Sequence, residues 1–212
     1  MPKETFFNLP PAKREKLVEA AVNEFARKSC AEASINRIIQ AAEIPRGSFY
    51  QYFFGKTDLF QYVLHRYGEQ MEALIMQELE CCGGKPLELP LVLYDSVLCH
   101  IRDQSSLLPG ILRQNAGMEP ELLDATVALE LADWSGLSPE TPQERLCLMD
   151  LLFSSVKQSL LAVCYGKLTP EESRERLAIK TAIIRQGAEN KGEALMNNRQ
   201  DEGILSGFIL MT

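Results

Sequence analysis

Apolar residues recur along most of this chain at spacings of three and four, the period of one face of an α-helix. No stretch shows the alternation of a convincing β-strand, and the sequence contains no internal repeat. The pattern therefore predicts an all-α protein. In chain order, the predicted helices cover residues 12–28, 35–42, 45–53, 57–80, 86–103, 106–115, 120–134, 142–165 and 170–187.

Capping and turn residues indicate several of these helix ends. Thr57 and Thr169 suit the N-cap, because a threonine hydroxyl can accept a free backbone N–H of the first turn. Residues 141–144 (Thr-Pro-Gln-Glu) combine the threonine, proline and acid of another helix start. The paired glycines at 83–84 end the long helix before them, and Gly68 predicts a kink or a helix junction within it.

The predicted helices group into two domains. Residues 1–56 form a small N-terminal domain that opens with a flexible arm over residues 1–10, and residues 57–187 form a larger helical domain. Residues 188–212 have weak periodicity and several glycines and asparagines, which predicts a flexible tail. A chain of 212 residues is long enough to bury a sizeable core in this arrangement.

Two short predicted helices between Ser34 and Lys56 give the strongest indication of function. Ser34 can cap the first helix, whose apolar residues share one face. Pro45 disfavours the helical conformation at Ile44 and suits the start of the second helix. A short helix, a tight turn and another short helix make up the helix-turn-helix motif, whose second helix enters the DNA major groove.

The charge distribution supports this interpretation. The whole chain has a net charge of −7. Residues 1–56 hold nine basic and six acidic residues, a net of +3, and residues 57–212 hold 13 basic and 23 acidic residues, a net of −10. A small basic module on an acidic body favours localised contact with DNA rather than coating by nucleic acid.

Specific residue types extend the motif beyond its helical spacing. In chain order they are Ile38, Ala41, Ala42, Ile44, Gly47, Phe49, Tyr50, Tyr52, Phe53, Lys56, Asp58 and Leu59. Together they resemble the DNA-binding signature of TetR/AcrR-type transcriptional regulators, I-A-x-x-A-G-V-S-x-G-T-F-Y-x-Y-F-x-x-K-x-x-L. Two positions depart from it: Glu43 stands at the usual turn glycine and Pro45 at the usual serine or threonine cap.

The resemblance and the side-chain chemistry together indicate a DNA-contacting set. Arg46 leads the second helix, where a guanidinium can reach a guanine edge or a phosphate, and Gly47 allows close approach of the backbone. In the family, the residues matching Tyr50 and Lys56 commonly touch the DNA backbone, and the resemblance implies the same roles here. The expected DNA-binding residues are Ser34, Arg37, Pro45, Arg46, Gly47, Ser48, Tyr50, Gln51, Tyr52 and Lys56.

For the larger domain, the resemblance implies a homodimer with a pocket for a small-molecule effector. The last two predicted helices resemble the family's dimer pair, and two-fold symmetry implies a near-palindromic operator. Effector binding would favour a dimer with wrongly spaced recognition helices and release the DNA, as in a repressor. The expected partner surface is Leu148, Leu151, Leu152, Val156, Leu160 and Leu161. The expected pocket residues are Met71, Ile75, Tyr94, Leu98, Ile111, Trp134 and Phe153.

Other interpretations stay open at this point. Each pocket residue, and Phe49 and Phe53 in the motif, could be ordinary core. The adjacent Cys81 and Cys82 leave a thiol- or metal-responsive regulator as an alternative, although no C-x-x-C or H-x-x-x-H spacing occurs and we expect no cofactor or metal. The departures at the turn leave a helical protein-interaction module as another alternative.

Motifs of several other protein classes are missing from the sequence. It lacks G-x-S-x-G, H-E-x-x-H, a phosphate-binding loop and G-x-G-x-x-G, so we do not expect an enzyme. No apolar run approaches the roughly 20 residues that span a bilayer, and the N-terminus lacks the apolar core of a secretory signal. We therefore expect a cytoplasmic protein with reduced thiols and no membrane partner.

Overall fold

The computed structural model describes residues 2–102, 107–115 and 126–189, and within these ranges every regular element is an α-helix. This architecture confirms the predicted all-α fold class. The helices are α1 (Glu4–Phe7), α2 (Pro11–Phe25), α3 (Ile35–Ala41), α4 (Arg46–Tyr52), α5 (Lys56–Cys81), α6 (Leu89–Arg102), α7 (Leu108–Gln114), α8 (Thr126–Leu129), α9 (Pro142–Cys164) and α10 (Pro170–Glu189).

Two large hydrophobic cores lie at opposite ends of α5, and a small third cluster of Leu108, Leu112 and Cys164 joins α7 to α9. The N-terminal core joins α1 to α4 with the first turns of α5, where Leu59 and Val63 are buried. The C-terminal core joins α6, α8, α9 and α10 with the later turns of α5, including Met71 and Ile75. The two cores therefore divide within α5, whereas the domain boundary predicted after residue 56 marks only the start of that helix.

The two longest C-terminal helices begin with the expected caps. The Thr141 hydroxyl accepts the Glu144 N–H at 3.2 Å, and the Glu144 carboxylate accepts the Thr141 N–H at 3.0 Å, which completes a capping box. Thr169 and Glu172 make the same reciprocal pair at the start of α10. The sequence signals for both starts are confirmed.

Other helix ends differ from the prediction. Thr57 lies inside α5, whose N-cap is Gly55, and the first turn is bound instead by Asp58, whose carboxylate accepts the Phe54 N–H at 3.1 Å. The helix also continues through Gly68 without a junction. A glycine is tolerated there at a cost of about 1 kcal/mol, because one weak residue does not outweigh the helix formers around it.

The segment after α8 is not helical. The predicted helix over 120–134 ends at Leu129, and residues 120–125 lie outside the described residues. The Asp133 N–H donates to the Gly84 carbonyl at 2.7 Å, so the chain turns against the α5–α6 connection instead of continuing the helix. Residues 188 and 189 complete α10, and the rest of the predicted tail lies outside the described residues.

Helix α9 is long and apolar, although the sequence contains no unbroken apolar run of membrane-spanning length. By length and composition alone it could cross a membrane, with a mean hydropathy of 1.5 over its most apolar window. Only 33% of that window is buried in the chain. The rest of that window is partly or fully exposed, with Leu151 its most exposed large apolar residue at 57%.

Candidate nucleic-acid interface

Helices α3 and α4 meet at a tight turn. Ile38 of α3 and Phe49 of α4 are fully buried against the rest of the N-terminal core. Glu43 in the turn adopts φ 55°, the left-handed conformation that a glycine adopts without strain. Its carboxylate pairs with Lys16 of α2 at 2.6 Å, which offsets the negative charge at this surface. The helix-turn-helix geometry predicted from the spacing is present.

The outer face of α4 is open. Arg46, Gly47, Tyr50 and Gln51 are exposed, and Ser48 is half-buried. A Cβ atom built on Gly47 would meet no atom within 4 Å. The protein itself therefore gives no reason for a glycine at this helical position, and the open side is the side that a ligand would approach.

Arg46 is oriented by a neighbour in α3. Its guanidinium donates to the Asn36 side-chain oxygen at 2.9 Å. This contact leaves other guanidinium N–H groups free to donate at the surface, since arginine has five. Asn36 therefore orients a residue of the candidate interface, although its role could not be read from the sequence because its partner lies in another helix.

Arg37 is committed to an intramolecular ion pair. Its guanidinium binds the Glu24 carboxylate with Nε–Oε distances of 3.0 and 2.9 Å and an Nη2–Oε1 distance of 2.6 Å. Glu24 is buried and also accepts the Ser34 N–H at 2.8 Å. The hydrogen bonds from Arg37 lower the pKa of Glu24, although burial opposes this. The Arg37 guanidinium therefore holds α3 against α2, and the N–H groups bound to Glu24 are not available to a phosphate.

Lys56 and Ser34 also have intramolecular contacts. The Lys56 ammonium donates to the Ala31 carbonyl and, at 3.3 Å, to the Ala33 carbonyl, which ties the start of α5 to the loop before α3. The Ser34 hydroxyl accepts the Arg37 N–H at 3.4 Å as the N-cap of α3. Both side chains therefore stabilise the helix-turn-helix motif through contacts within the chain. Pro45 is the N-cap of α4 rather than its first residue.

Residues 3–7 lie against α4 instead of forming the predicted free arm. Phe6 is completely buried, with its ring centroid 4.9 Å from that of Phe53 and 6.4 Å from that of the half-buried Tyr52. Lys3 also contacts α4 through its backbone and its side chain. This contact was not predictable from the sequence, because a four-residue helix has too short a pattern to detect.

The residues predicted to line an effector pocket are core residues. All of them except Ile111 belong to the C-terminal core or pack against it, and Tyr94 and Ile75 are fully buried. Ile111 instead packs in the N-terminal core, because α7 docks on that domain. Met71 borders an apolar cavity of about 30 Å³ between α5, α6, α7 and α9. That volume holds a water molecule or two and not a drug-sized ligand.

The predicted partner surface is also mostly core. Leu148, Leu152, Val156 and Leu160 are buried, and Leu161 is half-buried. The outward apolar residues of the last two helices are instead Leu151, Ile179 and Ile183, at 57%, 61% and 64% exposure. Periodicity predicted an apolar excess on α9 but not which side the chain itself covers.

Cys82 is poorly suited to act as a reactive thiol. Burial, together with Glu78, Glu88 and Cys81, raises the pKa of Cys82, so its thiol holds its proton more strongly than usual. The described residues contain no group of three metal-ligating side chains.

Known proteins resemble this chain both locally, around the helix-turn-helix motif, and in overall fold. The family model described as bacterial regulatory proteins, tetR family, matches residues 17–63, from the middle of α2 to the start of α5. The "Probable acrEF/envCD operon repressor" of Escherichia coli (strain K12) is 25% identical over 131 residues. That match covers 52% of this chain and 58% of the relative.

Solved structures share the whole fold. A TetR-family transcriptional regulator from Streptomyces coelicolor aligns with a TM-score of 0.62 at 15% identity, covering 88% of this chain and 95% of that one. A transcriptional regulator from Rhodococcus sp. Rha1 aligns with a TM-score of 0.60 at 21% identity, covering 84% and 98%. The match to the family model over residues 17–63, the similarity to the repressor and the shared fold agree with the resemblance to TetR-type regulators predicted from the sequence.

Proposed function

We propose that the protein is a sequence-specific DNA-binding transcriptional regulator that acts as a homodimeric repressor in the cytoplasm. The open outer face of α4, inside the residues that match the family model, is the observation that carries this proposal. A related protein described as a probable operon repressor supports the direction of regulation. The family's regulators are generally not enzymes, and we propose no catalytic activity here.

The exposed residues divide into two roles. Arg46 and Gln51 carry donors that can read base edges in the major groove, and Gly47 lets the backbone approach. Tyr50 combines an exposed ring with a hydroxyl that can donate to a phosphate. Arg37 adds positive electrostatic potential at this surface while its guanidinium stays bound to Glu24.

A second copy of the chain fits the exposed apolar surface of α9 and α10. Leu151, Ile179 and Ile183 are costly to expose in a monomer, and burying them across a two-fold axis would remove them from water. Two recognition helices related by this axis would read a near-palindromic operator.

An effector would act by opening the C-terminal core. The small cavity beside Met71 is the site where an apolar ligand could enlarge an existing space between α5, α6, α7 and α9. Helix α7 links this region to the N-terminal domain, because Asn115 at its end accepts the Cys30 N–H at 2.7 Å. Displacement of α7 would therefore shift the recognition helices and lower operator affinity.

Selection of bound sequences from a random DNA pool, followed by a salt titration, tests the proposal. We expect a near-palindromic site and a steep fall of affinity with salt, because binding releases counterions from phosphates. Arg46→Ala should reduce affinity for the selected site at least tenfold, whereas Lys85→Ala removes the same charge far from α4 and should leave it unchanged. A folded protein that enriches no sequence at low salt would contradict the proposal.

A further inference from the structure

The C-terminal end of α4 has an unusual set of hydrogen-bond partners. The last four carbonyls of an α-helix have no partner within the helix and must find one elsewhere. In α4 these are the carbonyls of residues 49–52. The Phe53 N–H serves only the first of them, at 2.9 Å, and the next N–H, from Phe54, is taken by Asp58.

Residues 3 and 5 supply the remaining three donors. The Lys3 ammonium donates to the Tyr50 carbonyl at 2.8 Å, and the Lys3 backbone N–H donates to the Tyr52 carbonyl at 2.9 Å. The Thr5 hydroxyl donates to the Gln51 carbonyl. Every terminal carbonyl of α4 is thereby bound, three of them by a segment more than 40 residues away in sequence.

The segment that carries these donors is anchored independently of them. The Phe6 ring is fully buried, 4.9 Å from the Phe53 ring and 5.0 Å from that of Tyr62 on α5. The Lys3 ammonium also lies 4.2 Å from the ring centroid of the exposed Phe54, a cation–π contact. The positive charge of Lys3 sits at the negative end of the α4 dipole, where it is favourable.

We propose that residues 3–6 form a C-terminal cap for α4 and that Lys3 and Thr5 are positioning residues for DNA binding. The cap binds the turn that presents Tyr50 and Gln51, so it holds both side chains in one direction. Without it the seven-residue helix would fray at this end, since so short a helix is unstable on its own. Fraying would reduce the fraction of protein ready to bind and weaken the observed affinity. The effect on affinity rests on the proposed function, whereas the cap itself does not.

Amide hydrogen exchange of the full-length protein tests the cap without DNA. Thr5→Val removes the hydroxyl donor at nearly constant shape, and we expect the Tyr52 and Phe53 amides to exchange about fivefold faster, the loss of one ordinary hydrogen bond. Thr5→Ser keeps the donor and should restore slow exchange. Amides of α2 provide an internal control for global stability. Unchanged exchange at α4 in both Thr5→Val and Lys3→Met would overturn the proposal.

Operator binding across a salt series then separates positioning from direct contact. Thr5→Val and Lys3→Met should each lower affinity about fivefold, and Lys3→Arg should retain most of it. The slope of log affinity against log salt should stay unchanged, because no phosphate contact is lost. A slope reduced by about 0.9 in Lys3→Met would mean that Lys3 contacts a phosphate and would overturn its positioning role. Faster exchange with no selected DNA would support the cap and contradict only the regulator proposal.

Discussion

The free protein gives no packing reason for a glycine at Gly47, so we attribute it to a ligand that approaches α4 from outside. Gly47 occupies the second position of the helix with open space around it, so alanine would fit the free protein without a clash. Gly47→Ala should raise the free energy of unfolding by about 0.5 kcal/mol, because alanine loses less backbone entropy on folding. The same methyl group should lower operator affinity at least tenfold by holding the backbone away from the groove.

Chemical denaturation and operator titration of the same Gly47→Ala sample measure both effects. Gly187→Ala in α10 is the matched control, because its Cβ also meets open space. It should change stability in the same direction and leave affinity unaltered. Equal affinity of Gly47→Ala and the parent protein would show that the DNA does not approach this position closely.

Residue roles were only partly predictable, since a side chain's partner usually lies in another element. Helical periodicity predicts that Arg37 lies on the exposed side of α3. Its bidentate bond to Glu24 was not predictable, because it depends on how α2 crosses α3. Lys56 matches the family's lysine, yet its ammonium binds two loop carbonyls. Ser34 was predicted as a cap from sequence, because capping depends on residues within one turn.

The contact between α2 and α3 depends on the charge of Glu24. Its pKa is lowered chiefly by the hydrogen bonds from Arg37, so the folded state binds its proton less readily than the unfolded state. The stabilisation is therefore fully present above the ordinary pKa of 4.5 and is lost as the pH falls through the lowered pKa. Arg37→Met should destabilise the protein at pH 7 and have a smaller effect at pH 3, because a larger fraction of Glu24 is protonated there than at pH 7.

Urea denaturation of the parent protein, Glu24→Gln, Arg37→Met and the double variant at both pH values measures this coupling. The coupling energy between the two sites should be favourable at pH 7 and should shrink in acid. Arg174→Met, which breaks an exposed pair with Asp95 instead, is the control and should have a small effect at either pH. A coupling energy of zero at pH 7 would contradict the assignment.

The approach of α7 to α2 depends on a missing side chain. A Cβ at Gly110 would lie 2.9 Å from the Ala26 carbonyl oxygen, closer than real Cβ contacts allow. Gly110→Ala should lower the free energy of unfolding by about 1–3 kcal/mol, because backbone must move to relieve the overlap. It should also alter operator affinity, since α7 joins the two domains.

Gly68→Ala distinguishes this overlap from the general effect of replacing a helical glycine. Gly68 lies within α5 with open space around its Cβ position, so alanine should stabilise the protein by about 1 kcal/mol. Thermal and urea denaturation of the two variants should thus shift in opposite directions. A stabilised Gly110→Ala would mean that α7 can separate from α2 at little cost.

A helix could be predicted from the sequence where the interactions that form it are local, and it was missed where they come from distant residues. Helices α9 and α10 were predicted closely because their capping boxes are local. Helix α1 was missed because it is held by Phe6 in the core rather than by its own pattern. Periodicity also identified apolar faces without distinguishing a packed core from a pocket, and Ile111, predicted as a pocket residue, packs in the N-terminal core.

The oligomeric state determines whether the whole molecule can read a two-fold operator. Leu151, Ile179 and Ile183 form the exposed apolar part of α9 and α10, and burying one isoleucine contributes about 1.5–3 kcal/mol. Each residue occurs twice in a two-fold interface, so a charge at this position is costly on both sides. Ile183→Glu should raise the dimer dissociation constant at least 100-fold, the equivalent of about 3 kcal/mol.

Sedimentation velocity over a concentration series measures the dimer dissociation constant, and operator titration of the same samples measures its effect on DNA binding. Leu131→Glu is the matched control, because Leu131 is 51% exposed but lies outside α9 and α10. It should leave both dimerisation and affinity unchanged. Ile183→Glu should bind the operator weakly at concentrations where it is monomeric and recover as the protein concentration rises, because only the dimer places two recognition helices on one DNA. An unchanged dimer would direct the search for the interface to another surface of the chain.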